Sequence, residues 1–175
     1  MLVAEALRLN LGCKDTHIPG FKNVDICASP NVDFVRDIHD LGFIDESVDE
    51  IYASNCYEHI KLPDAQRVLS DWCRMLKPGG ILWLSVPDFD FVVKFYAATG
   101  TLSDWLIYHL YGEQKNPYQF HYTVYNWPRL RLALSKAGFS KAEKVDALPY
   151  GLDDASTMVD NQIGQKISLN VKAIK

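Results

Sequence analysis

Residues 7–26 read LRLNLGCKDTHIPGFKNVDI, and the way this stretch folds decides how the rest of the chain is organised. The alternation of Leu7, Leu9 and Leu11 predicts a strand, and Gly12 lets the backbone turn sharply with no Cβ between chain and ligand. A second short strand over residues 24–26 carries Asp25 and Ile26 at its end. A carboxylate there can accept both hydroxyl hydrogens of a ribose, so turn and acid together predict a nucleoside grip. The plainer reading is a loop glycine followed by a surface aspartate.

The turn departs from a dinucleotide fingerprint. A pyrophosphate needs G-x-G-x-x-G so that bare backbone can approach two phosphates at a helix N-terminus. From Gly12 the chain instead reads G-C-K-D-T-H, and Asp25 follows sooner than the usual spacing of about 20 residues. A ligand with a ribose and no phosphates fits better, and S-adenosylmethionine (SAM) is of that kind.

The runs LNLGC, PGFKNVDI, SVDEIYASNCYEHI and RMLKPGGILWLSVPD, in that order, resemble the class I SAM-dependent methyltransferases, in particular their small type-11-like branch. The resemblance extends over nearly the whole chain, with Lys14 standing where the family has its second turn glycine. It implies an α/β fold, a Rossmann-like, doubly wound and mostly parallel sheet with a C-terminal antiparallel hairpin. It also implies a cofactor site built from Leu11, Gly12, Cys13, Asp25 and Ile26. An acid after the third strand would meet the adenine amino group and the next backbone amide the ring; these positions fall on Asp37 and Ile38, with Asp40 close by. Asn55 and Cys56, after the fourth strand, would wall the cofactor. His stands at Asn55 in the family, which leaves His59 as the nearer titratable group.

Composition bounds the remainder. A chain of 175 residues with 48% hydrophobic content is expected to form one domain, residues 1–175, with a sizeable core. Net charge is −4 with the two signs interspersed, which argues against duplex nucleic acid as a partner. Cys13, Cys27, Cys56 and Cys73 show no C-x-x-C spacing and no histidine at zinc-ligand distance, so no metal is expected and the thiols read as reduced. The start MLVAEALRLN lacks a basic n-region, and no stretch is long and apolar enough to span a bilayer. A cytoplasmic protein without membrane attachment is the expectation.

Further along, Pro19, Gly20 and Pro30 break the first two strand connections, predicting reduced early helices and a sheet face without its usual cover. That face would be covered by an insertion or by a second subunit, with self-association to a homodimer favoured. Strands are predicted over residues 32–35, 48–54, 81–86, 141–148 and 167–174. Helical spacing of Ala65, Val68, Leu69, Trp72 and Leu76 predicts a surface helix, with Lys77 at its C-terminal dipole and Pro78-Gly79-Gly80 as its stop. Residues 89–126 form an insertion of two short helices, one opening on Thr101-x-x-Asp104, and an aromatic segment that includes Phe120 and His121. The insertion is read as a substrate lid; aromatic packing is the simpler account. A helix capped by Asn126 and closed by Gly138 follows.

The function expected is methyl transfer from SAM to a small-molecule acceptor, with a non-catalytic SAM-binding or scaffold protein as the alternative. If the acceptor is a hydroxyl, His121 is the candidate catalytic base, with His59 as its rival, because an imidazole of ordinary pKa, about 6.5, takes a proton readily at neutral pH.

Overall fold

The computed structural model describes residues 6–175. Its centre is a seven-stranded sheet of β1 (Arg8–Leu11), β2 (Lys22–Asp25), β3 (Phe34–Val35), β4 (Val48–Ser54), β5 (Leu76–Pro87), β6 (Lys141–Lys144) and β7 (Ser168–Ile174). The order is β3-β2-β1-β4-β5-β7-β6. The first five strands run parallel, and β7 lies antiparallel between β5 and β6. This is the mostly parallel Rossmann-like sheet with a terminal antiparallel pair that the sequence predicts.

Alternation along the strands gives the two faces different chemistry. Leu9, Leu11, Val24, Ile51, Ala53, Leu82, Leu84, Val171 and Ala173 share one face and are almost fully buried. Helices α1 (Leu62–Met75) and α4 (Trp127–Ala137) cover it, packing against each other and inserting Leu69, Trp72, Leu130 and Leu134 into the core. The opposite face carries Asn10, Asn23, Glu50, Tyr52, Trp83, Ser85 and Asn170, aligned by strand register. Hydrogen bonds run across it: Asn10 donates to Asn23 at 3.0 Å, Ser85 to Asn170 at 2.8 Å and Trp83 to Glu50 at 2.6 Å.

Two helix-free segments cover this second face. Residues 12–21 lay down Ile18 and Phe21, and residues 145–167 add Leu148, Leu152 and Tyr150, the last bonded to Glu50. Tyr52 donates to Asp154 at 2.8 Å from beneath. Helices are absent from residues 12–21 and 26–33, as expected, and also from residues 36–47. The bare apolar face inferred from that loss is not found, because the face is polar and already covered; self-association has no support from it.

The connection between β2 and β3 closes without a helix because side chains do the work. Asp33 accepts from the Asn23 amide at 2.8 Å and from Lys22 at 3.1 Å, while Asn23 donates to the Asn31 carbonyl at 2.8 Å. Other boundaries shift for comparable local reasons. β5 begins at Leu76, before the Pro-Gly-Gly turn, so α1 ends earlier than predicted. The lysine at its C-terminus is Lys175, which donates to the Arg74 and Leu76 carbonyls at 3.1 and 2.7 Å, whereas Lys77 turns to Asp49. The insertion holds α2 (Phe89–Thr99) and α3 (Asp104–Tyr111); Ser103, not Thr101, caps α3 by accepting from Leu106 N–H. Asn126 and Gly138 bound α4 as predicted.

Candidate functional site

The turn after β1 is held from below by the acid that ends β2. One oxygen of Asp25 accepts from the Lys14 amide and the other from the Cys27 amide, each at 2.9 Å. Gly12 has φ +63°, and a Cβ there would lie 2.9 Å from the Cβ of Cys56, so bare backbone is required where the turn meets the segment after β4. Lys14 adopts φ +47°, the left-handed conformation that a glycine would take more easily. The turn therefore keeps its shape with a side chain on it.

Leu11, Gly12, Cys13, Lys14 and Asn55 line a cleft of about 180 Å³ together with Tyr52, Ser54 and Asp154. Asn55, also at positive φ, is anchored through its amide to the Ser85 carbonyl at 2.9 Å, and its side-chain oxygen is buried without a hydrogen-bond partner. That orphaned acceptor faces a need that a ligand's donor can meet. Cys56 packs beneath Gly12 and does not line the cleft. Burial first, then the Asp25 charge, pushes the Cys13 thiol up to about 11, so it is a wall and not a nucleophile.

Ile26, Asp37 and Ile38 stand beyond the ends of β2 and β3, outside the lining of the cleft. Asp37 is exposed; burial opposes its ionisation, but the amide and ring of His39 on Oδ1 outweigh it and hold the carboxyl below its usual range. Its second oxygen takes no part in those two contacts. The Ile38 carbonyl accepts from Trp72 at 3.2 Å, which fixes the backbone on the rim. Asp88 does not reach the cleft: it caps α2 through Asp90 N–H and borders a separate, open hollow of about 270 Å³ with Lys94, Lys144 and Lys166.

The short 3-10 helix Tyr57–His59 places Glu58, which the sequence reading passed over, beside His59, which it named. Glu58 is 1% exposed, and both its carboxylate oxygens lack hydrogen-bond partners. His59 and His121 come together from opposite ends of the chain's central third, their rings 4.8 Å apart at the centroids, and His121 Nε2 lies 3.9 Å from Glu58 Oε1. Burial, then the neighbouring His59, pushes His121 down to about 4, and burial pushes Glu58 up to about 8. At neutral pH this contact is therefore not an ion pair, since Glu58 holds a proton and His121 has none to spare. The ordinary imidazole pKa assumed for a base at His121 is thus corrected by burial, which disfavours the charged form.

The aromatic part of the insertion is stitched to this helix. Tyr122 N–H donates to the Glu58 carbonyl at 2.9 Å, His59 Nδ1 lies 3.0 Å from the Phe120 carbonyl oxygen, and Thr123 donates to Ile60 at 3.5 Å. Gly112 makes the approach to Gln119 possible: an added Cβ would lie 1.9 Å from the Gln119 carbonyl oxygen.

Residues 20–84 match the family model described as a methyltransferase domain. That match runs from Gly20, before β2, to Leu84 in β5. Over nearly the whole chain the likeness to solved structures is one of fold. The chain is similar to a SAM-dependent methyltransferase from Archaeoglobus fulgidus (15% identity, 98% of this chain and 87% of that one, TM-score 0.61). Another, from Thermotoga maritima, is 19% identical over 99% of this chain and 84% of its own, with a TM-score of 0.61. The 1,6-didemethyltoxoflavin-N1-methyltransferase of Burkholderia thailandensis, solved with its namesake ligand and S-adenosylhomocysteine, is 17% identical over 97% of this chain and 71% of its own, with a TM-score of 0.59. No curated protein sequence matches the chain. The first two of these neighbours are described as SAM-dependent, and none of this chain's described helices is long and apolar enough to cross a membrane.

The residues present fit that cofactor. Asp25 offers two lone-pair positions beyond those used by the backbone, the turn exposes bare backbone at Gly12, and Asn55 brings an unpaired acceptor.

Proposed function

We propose that this chain carries the methyl group of SAM to a small-molecule acceptor held beneath residues 89–126. The observation that carries the reading is the Gly12 turn, pinned by Asp25 and set against Asn55 with its orphaned oxygen. The sulfonium supplies the reactive methyl group, so the chain's task is orientation and exclusion of water. Asp25 holds the ribose, Asp37 and the Ile38 amide hold the adenine, and Ile26, Leu11 and Cys13 shape the walls. Asn55 accepts from the cofactor's amino group, and Cys56 keeps the segment after β4 packed under the turn.

The insertion acts as a cover on the acceptor side. Its Tyr118, Phe120 and Tyr122 rings are part-exposed, which suits a flat or apolar acceptor, in keeping with the ligand held by the relative from B. thailandensis. His121, uncharged and carrying a lone pair on Nε2, takes the acceptor's proton only if that proton is already acidic; for an amine or a carboxylate it positions and no base is needed. His59 supports the Phe120 backbone and is the second candidate. The test is incubation with SAM and fractionated metabolites, followed by mass spectrometry for S-adenosylhomocysteine. Turnover with a small molecule is expected. SAM binding with no acceptor giving S-adenosylhomocysteine would select the alternative of a non-catalytic SAM-binding protein, which the side chain of Lys14 at the family's glycine position favours.

A further inference from the structure

We propose that Glu58, His59 and His121 together bind one divalent transition-metal ion. One ligand atom from each lies within 4.8 Å of the others, and no other such group of three is found among the described residues. Two features mark the cluster as built for a cation. Glu58 is buried to 1% with both oxygens unpartnered, an arrangement that is costly unless a cation or proton completes it. The two imidazoles, moreover, are oriented as ligands are: His59 Nδ1 lies 3.0 Å from the Phe120 carbonyl and His121 Nδ1 3.1 Å from the His109 carbonyl. A carbonyl only accepts, so each Nδ1 carries the hydrogen and each Nε2 is left with its lone pair. Metal-bound histidines are held in the same way.

Geometry and donor chemistry narrow the ion. Ligand atoms about 2.1 Å from one metal lie roughly 3.0–3.4 Å apart; His121 Nε2 and Glu58 Oε1 stand 3.9 Å apart and the three ligand atoms within 4.8 Å, so side-chain rotations must draw the cluster inward on binding. Two imidazoles and one carboxylate suit zinc, iron(II), cobalt(II) or nickel(II), whereas calcium and magnesium prefer oxygen alone. Three protein ligands leave coordination positions open, as catalytic sites do. Resting on the methyl-transfer reading, a hydroxyl of the acceptor placed there would lose its proton to solvent near neutral pH, a step that His121 alone performs poorly. Lys14 opposes the ion, since its ammonium charge is felt by Glu58, His59 and His121.

The test uses the full chain without a polyhistidine tag, stripped by chelator, in the absence of SAM. Titration with cobalt(II) followed by visible absorption, and with zinc(II) by calorimetry, is expected to show one ion per chain at micromolar affinity or tighter. Glu58→Gln and His121→Asn are each expected to weaken binding by more than the roughly 10–100-fold that loss of an outer-shell partner causes, and Lys14→Met to tighten it. Less than a fifth of an equivalent bound by the wild type, or equal affinity in wild type and Glu58→Gln, overturns the proposal. Should Glu58→Gln fail to fold, the wild-type stoichiometry and His59→Asn decide. SAM affinity, measured separately, keeps failure of the metal site distinct from failure of the methyl-transfer reading.

Discussion

Asp25 receives the Lys14 amide at 2.9 Å, so the acid at the end of β2 sets the conformation of the turn that ends β1. Hydrogen bonds to a charged group are each worth about 1.5–3 kcal/mol, and Asp25→Ala removes those to the turn and, on the proposed reading, those to the ribose. SAM affinity is expected to fall at least roughly 10- to 150-fold. Asp25→Asn, which keeps one accepting oxygen, should lose less. Calorimetry showing unchanged affinity in Asp25→Ala would remove the residue from the site.

Lys175 and Lys77 offer a paired comparison. Lys175 reaches two carbonyls at the end of α1 from a mostly buried position, whereas the ion pair of Lys77 with Asp49 is open to solvent. Lys175→Met should lower the melting temperature by about 2–4 °C, the response of a domain of this size to roughly 1 kcal/mol. Lys77→Met should cost less, as exposed pairs do. Equal shifts in a thermal melt would contradict the capping role.

Cysteine chemistry separates by depth. Burial pushes Cys13 up to about 11 and raises Cys56 and Cys73 as well, while Cys27 is exposed. At pH 8 only about one Cys13 in a thousand is thiolate. Iodoacetamide on the native chain should therefore modify one cysteine, Cys27, with the others reacting only after unfolding. Peptide mapping that finds Cys13 labelled as fast as Cys27 would show that the turn opens.

Gly112→Ala tests the seam between the insertion and the 3-10 helix. The new Cβ meets the Gln119 carbonyl, which cannot rotate away, and the backbone is at φ +77°. A cost of about 1–3 kcal/mol or more is expected, concentrated in residues 112–123. Hydrogen exchange should accelerate there, including at the His121 amide that bonds Tyr111. SAM affinity should stay within a few-fold, because the Asp25 turn is untouched.

The strands and the glycine turn were legible because they follow local rules: period-two leucines, a nearly continuous apolar run over residues 81–86, an asparagine cap and a glycine stop around α4. Glu58 was not. In NCYEHI it reads as one more polar residue near a strand end, and only the arrival of His121 from the insertion makes its burial visible. Lys175 was missed because its partners lie about 100 positions earlier, and side-chain reach across a sheet leaves no periodic trace. The covered second face escaped for a related reason: residues 145–148 read as the end of a strand that in fact stops at Lys144, and residues 149–167 have no helical or strand repeat to announce that they pack.

That second face has a consequence for how the chain is made. Its closing contacts, Tyr150 to Glu50 and Tyr52 to Asp154, join residues 100 and 102 positions apart, so β4 is synthesised long before its cover emerges. A greasy sheet waiting that long would be a hazard for aggregation on the ribosome. Glu50, Asn10, Asn23 and Ser85 can instead remain hydrated until the strap arrives, exchanging water for partners one bond at a time. The nascent sheet thus carries its own protection during translation.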